Sequence, residues 1–235
     1  MHTLEEILAS IRKTFDVAFE PLQVDDATLE VLTIQNMQNH LDALIQRRAI
    51  HDPLKDLPLW AKIWPGSFVL GRLLRKYEPE EKTLLELGAG CGILGMVAAS
   101  HGFSRIVVSD INEDALLFAQ ANILHNGLED KVDVRRVDVQ APVNACGINE
   151  QFDRIAASEI LYLDDLHRPL LKFVQRFLAP GGKALFCTDV ARLKPRFAKL
   201  ASKMFTVTQG HIGVKSHDEG KEQRRVYNIT ILEHQ

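Results

Sequence analysis

The sequence is poor in cysteine, and the few it has are scattered. Cys91, Cys146 and Cys187 are odd in number, far apart and never in a Cys-x-x-Cys pair. Neither a disulfide framework nor a thiolate zinc site has its ligands, so no metal is expected and the usage points to a reducing compartment. Excess charge is lacking too. The 28 Lys plus Arg against 31 Asp plus Glu leave a net −3, and a pI near 6.3 gives no bias toward a polyanion, whose binding depends on basic side chains neutralising phosphates. No nucleic-acid partner is expected. Long apolar runs are missing as well: none approaches about 18 residues, and the chain opens with Glu5 and Glu6 instead of a basic start and apolar core. These absences lead us to expect a soluble cytoplasmic protein with no membrane partner, acting as a monomer.

What is present excludes disorder: 46% of the residues are hydrophobic and the net charge is weak, so the chain can build a core. At about 150 residues per domain, the 235 residues suggest one large domain carrying an extension. The first 57 residues differ from the rest. Thr3 with Glu6 makes a capping box, followed by Leu4, Ile7, Leu8, Ile11 and Phe15 at one-face helical spacing. Leu29 to Ile34 fits a short strand and Asn36 to Arg48 a second helix. His51 to Pro58, with two prolines and alternating charge, reads as a loop and marks the boundary. Residues 1–57 are therefore expected to form a mainly helical extension, and residues 58–235 the main domain.

From Thr83 onward short apolar runs alternate with helical patterns, as in a parallel sheet built from βαβ units. Strands are expected at Thr83–Leu87, Arg105–Ser109, Val132–Val137, Phe152–Ser158 and Lys183–Thr188. Helices are expected at Gly92–His101, Asp114–Asn126, Arg168–Leu178 and after Pro195, with Gly181-Gly182 breaking the chain before the fifth strand. Phe205–Val214 and Arg224–Leu232, joined by the polar segment Lys215–Gln223, pair most simply as an antiparallel hairpin. The expected fold is α/β: a Rossmann-like, seven-stranded, mostly parallel sheet with a C-terminal antiparallel hairpin and helices on both faces.

Glu86-Leu87-Gly88-Ala89-Gly90-Cys91-Gly92 ends the first of these strands and opens a helix. Glycines there allow a tight turn and let a ligand approach helix N–H groups. A dinucleotide fingerprint would place its third glycine at position 93, which is Ile93. Glu86 would also repel a pyrophosphate while attracting an ammonium. The combination suits S-adenosylmethionine, which brings an ammonium and a sulfonium and no phosphate. Asp110, twenty residues beyond Gly90, is placed to accept ribose hydroxyls. Asp138-Val139, after the third strand, is placed to meet the adenine amino group, and Ser158 ends the fourth strand beside them. Taken singly, Asp110 and Asp138 fit helix caps or turn residues equally well.

At this point the sequence resembles the seven-strand S-adenosylmethionine-dependent methyltransferases, from about Leu57 to the C-terminus. Within them it is similar to methyltransferase family 16, rich in protein lysine methyltransferases. Two segments carry the narrower likeness. Pro58-Leu59-Trp60-Ala61-Lys62-Ile63-Trp64-Pro65-Gly66 is similar to the tryptophan-containing segment of the branch that methylates lysine in the electron transfer flavoprotein β-subunit. Ser158-Glu159-Ile160-Leu161-Tyr162 matches the Asp/Glu-x-x-Tyr motif. The resemblance implies that Trp64 borders the cofactor, that Glu159 and Tyr162 face the substrate, and that the substrate is a protein.

Other readings of the same residues stay open. Tyr162 fits a packed aromatic, Glu159 a turn cap, and Trp60 with Trp64 a hydrophobic anchor as well as a cofactor wall. His101, His125 and His167 are expected at helix ends or on the surface. Adenine amino-methylating enzymes carry an Asn/Asp-Pro-Pro-Tyr-like segment that is missing after the fourth strand, and arginine methyltransferases need a second glutamate where this chain has Arg168. A small-molecule methyltransferase is the strongest enzymatic rival, and a non-catalytic interaction module the rival of a different class.

Overall fold

In the computed structural model the described residues are 2–24, 27–47, 50–51, 57–77, 81–218 and 221–235. The proline loop expected before the main domain lies largely outside them, at positions 52–56. Helix α1 (Leu4–Ile11) starts on the expected capping box, with the Thr3 side chain accepting from Glu6 N and Glu6 reaching back to Thr3 N. An antiparallel ribbon of β1 (Val17–Val24) and β2 (Ala27–Ile34) follows, then α2 (Met37–Gln46). The extension is thus not mainly helical. β1 carries Glu20, Pro21 and Gln23 and has no clean apolar alternation, but proline is tolerated in a two-stranded ribbon, where both strands are edges.

A single 3₁₀ turn, Leu59–Ala61, leads to α3 (Pro65–Leu74). The main sheet then alternates with helices: β3 (Thr83–Leu87), α4 (Ile93–Ser100), β4 (Arg105–Asp110), α5 (Glu113–His125), β5 (Val132–Arg136), β6 (Phe152–Ser158), α6 (His167–Phe177), β7 (Leu178–Asp189), α7 (Pro195–Ala201), β8 (Phe205–Asp218) and β9 (Lys221–His234). The strand order is β5-β4-β3-β6-β7-β9-β8, parallel as far as β7, with β9 the one reversed strand.

Strand residues alternate between the two faces because the side-chain period is two. Leu84, Ile106 and Val108 pack with α3, α4 and α5, and Leu85, Val107, Ile155 and Phe186 pack with α6 and α7. Two expectations about strand ends need correction. β7 begins directly after α6, and Gly181-Gly182 sits inside it at a register shift between Phe152 and Arg154. The segment read as the loop Lys215–Gln223 is strand in its described part: β8 and β9 stay paired out to Asp218 opposite Lys221. This arm runs beyond the last β7 partner pair, Asp189 with Tyr227, so no apolar alternation marks it as strand.

The N-terminal elements share the core of the α3–α5 face. Phe15 meets the rings of Trp60 at 5.8 Å and Phe118 at 5.6 Å, edge to face. Asn122 of α5 and Asn126 at its C-cap serve as hydrogen-bond partners for β2. Asn122 Oδ1 accepts from Leu32 N at 2.7 Å and Asn126 Oδ1 from Glu30 N at 3.0 Å. Asn122 Nδ2 donates to Cys91 O at 2.9 Å, tying the ribbon to the glycine turn. Since Asn122 is fully buried, Asn122→Ala leaves one donor and one acceptor unsatisfied. It is expected to cost about 2–3 kcal/mol of stability, a drop of roughly 4–12 °C in melting temperature. An unchanged melting temperature in calorimetry would show that apolar packing alone holds the ribbon.

Candidate active site

β3 must pass into α4 within five residues, and three glycines make that possible. Gly88, Gly90 and Gly92 take φ of +63°, +56° and +80°, a left-handed region costly for residues with a Cβ. Space forbids side chains there as well: a Cβ on Gly90 would lie 2.4 Å from the Trp60 carbonyl oxygen. The turn is fastened to the end of β4. Gly90 N donates to Asp110 Oδ2 at 2.9 Å, and Asp110 Oδ1 accepts from Ile111 N at 2.7 Å and Asn112 N at 3.0 Å.

Glu86 meets a local need of the helix. The cap of α4 is Gly92, which offers no side-chain acceptor, and Glu86 Oε2 accepts from Gly95 N at 2.7 Å, satisfying one orphan donor of the first turn. Burial pushes the Glu86 carboxyl up to about 8, opposed by the Gly95 hydrogen bond and reinforced by the Asp110 charge.

Beside the turn, across β6 and β7, lies a second polar cluster. Glu159 follows β6 at φ +60°, a strained position for a side chain that persists only where its surroundings fix it. Its N–H donates to Cys187 O at 2.8 Å. Oε1 accepts from Asp189 N at 3.1 Å, Oε2 accepts from Arg192 Nε at 3.1 Å, and Arg192 Nη2 lies 2.9 Å from Oε1. Asp189 lies 3.7 Å from Arg192 and 3.5 Å from Arg225, so two carboxylates face two guanidiniums.

The Arg192 guanidinium also lies 5.1 Å from the centroid of the Trp64 ring, and Lys62 Nζ lies 5.0 Å from the same ring. The Trp64 indole N–H donates to Leu59 O at 3.1 Å. Below the cluster, Tyr227 is buried, and burial with the charges of Glu159 and Asp189 pushes its hydroxyl up to about 12. It stays protonated at neutral pH.

Residues 50–203 match the lysine methyltransferase family. The chain belongs to that family. Among curated proteins it is 31% identical over 147 residues to the electron transfer flavoprotein beta subunit lysine methyltransferase of Mus musculus, covering 60% of this chain and 53% of that protein. It is 29% identical over 146 residues to the ribosomal protein L11 methyltransferase of Heliobacterium modesticaldum, covering 62% and 44%. The chain therefore spans about half the length of these relatives. An S-adenosylmethionine-dependent methyltransferase from Agrobacterium tumefaciens shares the fold at a TM-score of 0.60 and 15% identity, over 92% of this chain and 70% of that one.

Within this family member, β5, β4 and β3 lie side by side and parallel, so Glu86, Asp110 and Asp138 fall at or just past the carboxyl ends of three neighbouring strands. Their local roles differ. Glu86 is turned toward α4, Asp110 braces the turn, and Asp138 Oδ1 accepts from Gln140 N at 2.8 Å, closing its own turn with Val139 packed on the core behind it. Ser158 Oγ is buried without a partner in the described structure, and a Cβ on Gly66 would lie 2.5 Å from it. Trp60 packs on Phe15 and Phe118 as an anchor, and Trp64 faces the charged cluster.

Glu159 is engaged by Arg192 and Asp189, and burial and then the Asp110 charge raise the Tyr162 hydroxyl. His167 is at a helix start, as expected, but fully buried, with Nε2 at 2.8 Å from Leu161 O, and His125 stacks on Phe19 at 3.6 Å. The sequence reading missed Asp189, Arg192, Arg225 and Tyr227. The available signal was Asp189, an acid ending β7 as Asp110 ends β4.

Glu86 yields a test. Its folded value of about 8 lies above the ordinary 4.5, so its contribution to stability is whole below pH 4.5 and is lost as pH rises through 8. Relative to the always-neutral Glu86→Gln, the wild type is expected to lose a few kcal/mol between about pH 5 and about pH 8.5. Urea denaturation at both values measures it, and parallel losses in the two proteins would contradict the burial of an ionisable Glu86.

Proposed function

We propose that this protein is an S-adenosylmethionine-dependent methyltransferase that modifies a lysine side chain of a protein substrate. The observation that carries the reading is the adjacency of an acid-braced, left-handed glycine turn and a buried carboxylate beside an aromatic face. The donor set of the turn fits this cofactor: Asp110 suits ribose hydroxyls and Asp138 with Val139 the adenine, while Glu86, pushed toward neutrality by burial, regains its charge as an arriving ammonium pairs with it. Gly88, Gly90 and Gly92 give the backbone a surface free of side chains, Ser158 offers a hydroxyl at the neighbouring strand end, and Trp64 lines the side toward the acceptor. Domain limits follow the same logic, with residues 58–235 as the cofactor-binding domain and 1–57 as the extension that braces the tryptophan segment.

Bound there, the cofactor supplies an electrophilic methyl group on a sulfonium. The residues of this chain contribute mainly by positioning. Glu159 orients the acceptor nitrogen, and Tyr162, kept protonated, donates a hydrogen bond and presents its ring face. A lysine in water has a pKa of about 10.4, so its proton must leave before attack, and Glu159, which stabilises the charged amine, is assigned orientation rather than proton removal. The relatives' names both specify protein substrates, a lysine in one case. The three cysteines are free and buried and no helix among the described residues is long and apolar enough to cross a membrane. These features support a cytoplasmic enzyme, which we take to be a monomer acting without metal.

Calorimetry is expected to show S-adenosylhomocysteine binding and no NAD binding. Glu159→Ala should keep that affinity within about threefold while methyl transfer falls at least about a hundredfold; a comparable loss of affinity would move Glu159 into the cofactor site. Incubation of a boiled extract with enzyme and radiolabelled donor should label a protein band that yields methyllysine. Label confined to small molecules would reject the protein substrate, and no label despite cofactor binding would favour an interaction module.

A further inference from the structure

The Glu159 carboxylate has the partners of an occupied cation site. Its side chain is 6% exposed, against 34% for Arg192, so the guanidinium is what stands between Glu159 and solvent. Arg192 also covers the Trp64 ring at 5.1 Å. A buried carboxylate beside an indole face is the chemistry that recognises an alkylammonium. Resting on the methyltransferase reading, we propose that Arg192 is a built-in occupant of the acceptor's ammonium site, holding Glu159 and Trp64 until the cationic amine of the substrate displaces its guanidinium.

The local structure suits such an exchange. Arg192 ends a three-residue 3₁₀ turn, Val190–Arg192, whose backbone is held independently by Asp189 Oδ1 accepting from Ala191 N at 3.0 Å. Moving the Arg192 side chain leaves that turn closed, and Glu159 Oε1 keeps the Asp189 N–H. Leaving the buried carboxylate with no cation is costly. Arg192 therefore departs only as another cation arrives, which makes the site selective for amines and against neutral side chains of the same shape. A guanidinium fork makes two hydrogen bonds to a carboxylate where an ammonium presents point contacts, so a free small amine competes poorly. Further contacts from a protein carrying the lysine are needed to win the site.

The test uses the full chain, Nα-acetyl-L-lysine amide as probe and Nα-acetyl-norleucine amide as neutral control, with the Trp64 indole N–H followed by NMR. The wild type should bind the lysine amide weakly. Arg192→Gln should bind it at least about tenfold more tightly, since a competing occupant lowers apparent affinity by the fraction of sites it leaves free. Arg192→Lys, which cannot form the fork, should fall between the two and serves if Arg192→Gln does not fold. Glu159→Gln should abolish binding, and norleucine amide should bind none of them. Arg196→Gln removes an exposed positive charge of α7 outside the cluster and should change affinity less than about twofold. Unchanged or weaker binding in both Arg192 variants, or an equal gain in Arg196→Gln, overturns the proposal. S-adenosylhomocysteine calorimetry on the same proteins reports separately on the methyltransferase reading, because the lysine amide titration needs no cofactor.

Discussion

The contact between the Trp60 carbonyl and Gly90 is the constraint on which the site depends. With 2.4 Å between that oxygen and the position of a Cβ, only glycine lets the segment before α3 lie on the turn. The same residue sends its ring into Phe15 and Phe118. One tryptophan therefore couples the N-terminal extension to the glycine turn through its side chain and its backbone. From there Lys62 and Trp64 are delivered to the neighbourhood of Glu159. Asn122 reinforces the arrangement from the other side by bonding both β2 and Cys91.

The acids of the site are not interchangeable, and burial decides what each does. Glu86 caps a helix and is pushed toward neutrality by desolvation. Asp110 is half-buried and held by three backbone N–H groups. Glu159 and Asp189 are buried but matched by Arg192 and Arg225, a pairing that offsets the cost of removing charge from water. A glycine turn and a charged pocket thus sit side by side.

Much of this was legible in the sequence wherever a residue's local pattern and its tertiary setting agreed. The strands at 83–87 and 152–158 stand as read because each alternates between two buried faces, and Pro195 opens α7 as expected. Glycine spacing alone was enough to place the turn. What was not legible is non-local. Glu159 and Arg192 are far apart in sequence and meet only because β6 and β7 are neighbours in the sheet. β1 lies in a two-stranded ribbon, and β8 and β9 extend past their last pairing with β7, so the polar residues of these segments offered no strand pattern to read. Glu159 itself was found as part of a short motif, but its partner Arg192 was not, since 33 positions separate the two.

The most direct measurement of the central claim is a crystal structure of this protein with S-adenosylhomocysteine. The account predicts the ribose on Asp110, the amino group toward Glu86 and the sulfur facing the side of the site where Glu159 and Trp64 stand. A nucleoside bound away from Gly88–Gly92, or a sulfur turned away from Glu159, would contradict it.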